Sequence, residues 1–106
     1  MTGAVHYLKS WPSPFAAVWR GTRPFEVRRD DRSYADGDVL VLQEWDPQTR
    51  DYSGREVICK VRYLWRDWHL VGLGGGDVVV MGIEVKSKAQ RNDPRQQHRR
   101  PPESYA

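Results

Sequence analysis

The sequence predicts a mainly β fold with some α: a small barrel of five short strands and one early helix, rather than a parallel sheet. Three observations carry that expectation. Runs with strand period recur along the first 85 residues, one nine-residue stretch near the start has helical period, and no βα unit repeats. At 106 residues the chain has room for one core, and five Trp, five Tyr and two Phe supply large apolar units for it.

Residues 5–9, VHYLK, open as a strand. In SPFAAVWRG, Ser13 suits an N-cap, Pro14 the first helical position and Gly21 the left-handed residue past the end. Phe15, Val18 and Trp19 then form one apolar stripe. PFEVRR is a second strand, where Phe25 and Val27 alternate with Glu26 and Arg28; its apolar face is expected to enter the core. A polar loop ending in Gly37-Asp38 leads into the strand 38–45, apolar on both faces through Leu42. DPQTRDYSGR is expected to be a long hairpin connection closed by Gly54. EVICKVRYLW alternates again, placing Cys59, Val61 and Tyr63 on its core face, and DVVVMGIEV (77–85) is the last strand.

From Lys86 onward the aliphatics give way to Gln, Arg, Pro and Ser. The expected organisation is therefore a domain over 1–85 and a basic, disordered tail over 86–106. Charge divides the same way: 11 Lys and Arg against 12 Asp and Glu in residues 1–85, and six against two in the tail. The near-neutral domain is not a uniformly basic nucleic-acid coat. Lys86, Lys88, Arg91, Arg95, Arg99 and Arg100 add non-specific attraction to phosphates, or simply solubility.

No apolar run approaches a membrane span, and the single Cys59 precludes an internal disulfide, so a cytoplasmic chain is expected. His6, His69 and His98 lie far apart and no Cys-x-x-Cys occurs; neither a metal nor a cofactor is expected. Cys59 reads as a core thiol and His6 as a satisfied strand histidine. GLGGGD (72–77) lacks the Lys-Ser/Thr ending of a phosphate loop.

The series His6-x-Leu8-Lys9, Phe15, Gly21-x-Arg23-x-Phe25-Glu26-x-Arg28, Asp31-Arg32, Gly37-Asp38, Glu44 and Tyr52-Ser53-Gly54-Arg55 resembles an uncharacterised bacterial and phage family. That family belongs to the ASCH group (activating-signal-cointegrator homology) of the PUA-like superfamily. The resemblance covers about residues 6 to 85. It implies a five-stranded PUA-like barrel whose helix after strand one closes a cleft, lined by the Gly-x-Lys-x-x-(acid or Thr)-x-Arg segment. It also implies RNA, a nucleotide or a modified base as ligand, or, for some members, hydrolysis of acetylated cytidine or of RNA. Here Arg23 stands where the group usually has Lys, and Glu26 where the amidohydrolases have Thr. A guanidinium is no general base and a carboxylate offers no hydroxyl nucleophile.

Glu26 and Arg28 alone read two ways. They form an exposed pair worth little to stability, or they floor a cleft where the carboxylate accepts from an exocyclic amine and the guanidinium grips phosphate. The resemblance favours the cleft. Asp31 belongs to a solvated turn or pairs with Arg28 or Arg32. Trp11 sits at an element edge where an indole stacks on a base, and Lys9 is placed to reach the cleft mouth. Trp19, Phe25 and Tyr63 are read as core; Tyr34 and Trp45 as edge aromatics, the latter a cross-strand partner for Tyr52.

The leading expectation is a base- or RNA-binding module using Arg23, Glu26, Arg28, Lys9, Asp31 and Trp11. One rival is a hydrolase or ribonuclease with Glu26 as base and Arg23 or Arg28 stabilising negative charge. Another is a phage-type protein that modulates a host protein.

Overall fold

Strand β1 (Val5–Ser10) leads into helix α1 (Pro12–Arg20), followed by β2 (Phe25–Arg29), β3 (Val39–Asp46), β4 (Asp51–Arg66) and β5 (Val78–Gln90). The computed structural model describes residues 3–66 and 78–91. The strands form one sheet in the order β1-β3-β4-β5-β2, curled into a half-barrel. The mainly β class with one short helix after the first strand is as the sequence predicts. β1 runs parallel to β3, and every other pair is antiparallel.

The helix begins at Pro12, two residues before the expected start, with Trp11 at the N-cap and no side-chain cap. Both prolines fit because amides of the first turn have no intrahelical acceptor. Gly21 closes the helix at φ 83°. Its amide donates to Val18 O and that of Thr22 to Ala17 O, the Schellman arrangement. Phe15 and Val18 are buried against the sheet.

The β3–β4 hairpin is tighter than expected. Asp46 pairs with Asp51 and Trp45 with Tyr52, so only 47–50 turn. Gly54 lies inside β4 at φ 98°, where a β-carbon would collide with the Arg91 carbonyl. It permits a close crossing instead of closing the turn. β5 likewise runs five residues past the expected domain boundary, and Arg91 N–H donates to Gly54 O at 2.8 Å. Lys86 and Lys88 are therefore strand residues. Arg95, Arg99 and Arg100 lie outside the described residues, as does the glycine-rich run 72–77.

Leu8, Leu40, Leu42, Val57, Cys59, Val61, Val79 and Met81 fill the concave face, each with no exposure. Two expected core aromatics are not there. A bulge at Arg62 shifts the β4–β5 register between Val61 and Tyr63. One extra residue reverses the facing of the residues after it, so Tyr63 is 66% exposed while Leu64 packs on the core. Strand β2 has the opposite phase to the expected one. Glu26 and Arg28 pair with the buried Met81 and Val79, so they face inward. Phe25 and Val27 face out. Trp19 packs against the core only in part. Tyr34 is buried, its ring 4.7 Å from that of His6.

Candidate functional site

The half-barrel leaves β1 and β2 as its two edges, with α1 between them in sequence. A side chain spans that seam. Arg28 projects inward from β2 and donates from Nη1 to the Lys9 carbonyl of β1 at 2.9 Å. Its Nε donates to Glu26 Oε1 at 2.9 Å, and Arg23 Nη1 donates to Glu26 Oε2 at 2.7 Å. One carboxylate is thus held by two guanidiniums. The Glu26 and Arg28 side chains are fully buried, whereas that of Arg23 keeps 17% of its surface. The Arg23 guanidinium also lies 5.0 Å from the centre of the Phe25 ring.

Burial on this scale makes the cluster consequential. Two charges removed from water are tolerated only when their donors and acceptors are matched. Here both carboxylate oxygens are used, and the three side chains still sum to one positive charge. Ser10 Oγ, one residue beyond Lys9, is buried with no hydrogen-bond partner among the described residues. Cys59 lies within reach of the same field. Burial pushes its thiol up to about 12, Glu26 adds to the rise and Arg28 opposes it. Its Sγ points to Leu40 O at 3.6 Å, the inert core thiol expected.

The other predicted site residues lie apart from this cluster. Lys9 contributes its backbone carbonyl, but its ammonium lies 3.3 Å above the Trp45 ring. The cause is strand alternation, which turns Lys9 to the face opposite Leu8. Asp31 pairs with Arg32 at 3.2 Å, the second of the two partners expected for it. Trp11 is exposed at the N-cap of α1. Lys88 Nζ sits 5.4 Å from the Trp19 ring, Lys86 lies 3.3 Å from Glu84, and Arg91 lies 3.5 Å from Glu56.

Two clusters escaped the sequence reading. Glu44 accepts from Arg55 Nε at 2.9 Å, Arg55 Nη2 at 3.0 Å and Ser53 Oγ at 2.6 Å. The same guanidinium lies 5.3 Å from the ring of Phe15 and 5.0 Å from that of Trp19. The signal was present: Glu44 shares its parity with Leu40 and Leu42, and Arg55 with Val57 and Cys59, so both point inward. Second, Asp38 accepts from the Ala4 and Ala35 amides and meets His6 Nε2 at 2.7 Å. Burial works against the Asp38 charge, but the bonds from His6, Ala35 and Ala4 outweigh it and hold the carboxyl below its ordinary value. Arg66, bonded to Asp30 and to Tyr34 O, is held above the usual arginine value by that carboxylate.

A cavity of about 280 Å³ opens beside the β3–β4 hairpin, lined by Pro12, Glu44, Asp46, Thr49, Asp51, Tyr52 and Ser53. Its carboxylates suit no anion, and none of the predicted site residues lines it. Among the described residues no helix is long and apolar enough to cross a membrane.

The family described as a domain of unknown function, DUF3850, matches residues 5–83. An uncharacterised 12.9 kDa protein from the GpA 3′ region of Escherichia phage P2 is 33% identical over 61 residues. That stretch is 58% of this chain and 54% of the phage protein, so the match spans about half of the relative.

Proposed function

The chain belongs to the DUF3850 family, a domain of unknown function, and we propose that it is a nucleic-acid-binding module. Its ligand is a nucleotide, a modified base or single-stranded RNA, taken where β1 and β2 face each other beside α1. One observation carries this reading: the buried Glu26 holds the guanidiniums of both Arg23 and Arg28 and leaves one positive charge over. Low dielectric strengthens the pull of that charge on an anion. Arg23 is the member of the three that reaches solvent. Glu26 fixes one side of its fork, and the outward N–H groups are set to meet a phosphate or a base edge. The resemblance of Gly21-x-Arg23-x-x-Glu26-x-Arg28 to the ASCH cleft segment points the same way.

Contact with the ligand falls to Arg23, and Glu26 and Arg28 position it from beneath. A general base needs a carboxylate that reaches water or substrate. Glu26 is fully buried with both oxygens engaged, so binding is better supported than hydrolysis.

The test is a titration of nucleosides, nucleotides, acetylated cytidine and short single-stranded RNA against wild type, Arg23→Ala, Arg23→Lys and Glu26→Gln. Removing a charge-assisted bond of ~1.5–3 kcal/mol weakens binding by about ten- to a hundredfold in Arg23→Ala. Arg23→Lys recovers only part, because an ammonium cannot bond Glu26 and a ligand in one plane. Glu26→Gln weakens binding by releasing Arg23. Equal binding by wild type and Arg23→Ala, or no ligand above background, removes the reading. Turnover of acetylated cytidine or RNA, abolished in Glu26→Gln, would replace it with the hydrolytic one.

A further inference from the structure

The reversed phase of β2 places apolar side chains outside as well as charge inside. On the convex face, register sets Phe25, Gly82 and Tyr63 in one row across β2, β5 and β4, and Val27, Val80 and Trp65 in the next. Phe25 is 41% exposed, Val27 37%, Tyr63 66% and Trp65 44%. A contiguous outward patch of this kind is informative where scattered apolar residues are not.

Its shape and its rim identify an occupant. Tyr63 and Trp65 are two residues apart on one strand, hence about 7 Å apart along it, a spacing that serves one base per ring. Gly82 floors a trough between Phe25 and Tyr63. A β-carbon there would sit 3.5 Å from Tyr63 Cβ, an ordinary contact, and the backbone is not left-handed. The fold therefore does not require glycine at this position. Around the patch stand Arg29, paired in register with Val78, Lys60, paired with Glu84, and Arg62 at the bulge. Glu84 is the one acid facing them among the described residues of these rows, 3.8 Å from Arg62. Aromatic rings on a shallow sheet face with a cationic rim match the chemistry of single-stranded nucleic acid: stacked bases and a flanking phosphate chain.

We infer that the convex face of β2, β5 and β4 is a stacking platform for single-stranded nucleic acid, with Tyr63 carrying one base beside the Gly82 trough and Trp65 the next base in the Val80 row. The platform lies on the opposite face of the sheet from the buried Glu26; because the Arg23 guanidinium lies 5.0 Å from the Phe25 ring, the test is made at Tyr63 and Trp65, on β4, and not at Phe25.

Anisotropy of 5′-labelled 12-nucleotide single-stranded RNA and DNA of the same mixed sequence tests it. Tyr63→Ala and Trp65→Ala each weaken binding by about five- to a hundredfold, the loss of one stacked base. Tyr63→Phe binds like wild type, since the ring and not the hydroxyl stacks. Gly82→Ala folds normally and weakens binding by filling the trough. Affinity falls with salt, at a log–log slope of about −0.7 per neutralised phosphate. Because the rings are exposed, unchanged melting temperatures show that the variants fold. Wild-type affinity in both alanine variants overturns the inference. So does sedimentation showing a dimer that the same substitutions split, which would make the face a contact between copies. Loss of mononucleotide binding in Arg23→Ala with the platform variants unaffected would leave the seam and remove the platform; the converse would do the reverse.

Discussion

Glu26 and Glu44 are both inward-facing carboxylates held by arginine, yet they sit in different dielectric worlds. Glu26 and Arg28 have no exposed side-chain surface, and their partners come from both edges of the sheet. Glu44 retains 9% and Arg55 29%, and both belong to adjacent antiparallel strands that the ladder already joins. The first pair closes a seam that no backbone ladder closes among the described strands. The second decorates a joint that exists without it. Buried charge is therefore costly to disturb at the seam and cheap to disturb at the hairpin, and only at the seam does surplus charge stay undiluted by water.

The largest effect expected is at Arg28. Arg28→Ala strips Glu26 of one partner and β1 of its cross-seam bond, and the buried carboxylate remains. Such a break costs about 3–5 kcal/mol, seen as a lower midpoint in urea. Replacing the whole pair, as in Glu26→Leu with Arg28→Met, recovers most of that loss because nothing charged is left buried. Ligand binding does not recover with it, since Arg23 loses its anchor. A double variant that is as unstable as Arg28→Ala would show that shape and not charge sets the cost.

The seam was legible in type but not in orientation. Period-two alternation over Phe25 to Arg29 identified a strand and could not say which set faces inward. Its ladder partner β5 does not decide this either, because Val78 to Ile83 is apolar on both faces and accepts either phase. Tyr63 was misplaced for a related reason. An extra residue at Arg62 leaves the residue types of β4 unchanged and reverses their facing, and the Arg62 bulge exists only in the pairing with β5. The helix stop at Gly21 and the turn at Gly37 were readable because a left-handed residue favours glycine locally. The end of β5 was not, because Lys86 to Gln90 look solvated and are ordered by β4. The cross-seam bond to Lys9 O could not be found from side-chain chemistry at all, since its acceptor is backbone.

A second effect separates the clusters through Cys59. Its thiol ionises near 9.0 when unfolded and at about 12 when folded, pushed up by burial with Glu26 adding to it. Above pH 9 the unfolded chain loses a proton that the folded chain keeps. Stability therefore falls with rising pH, by up to about 1.4 kcal/mol per pH unit between those values. Urea midpoints measured from pH 8 to 11 follow that slope in wild type and a shallower one in Cys59→Ala. Arg55→Ala leaves the slope unchanged, as the hairpin cluster does not act on the thiol. Equal slopes for wild type and Cys59→Ala would mean that the thiol meets water in the folded state and that the concave face is wetter than its packing indicates.

The smallest effect belongs to the hairpin carboxylate. Arg55→Ala removes two bonds to Glu44 and the guanidinium beside Phe15 and Trp19, but water already reaches the pair, 29% of the Arg55 side chain and 9% of that of Glu44 being exposed. The expected cost is about 1 kcal/mol at low ionic strength. It should shrink in 1 M salt, where charges more than about 3 Å apart are screened. What persists is the contact of the guanidinium with the Phe15 and Trp19 rings, 5.3 and 5.0 Å away. The Arg28→Ala loss should hardly change under the same salt, because ions do not enter a site with no exposed surface. Measuring both variants at low and high salt thus turns the contrast into one ratio. A salt-insensitive Arg55→Ala loss would place the hairpin pair in the same dry environment as the seam, and Glu44 would then hold a charge-bearing site in its own right.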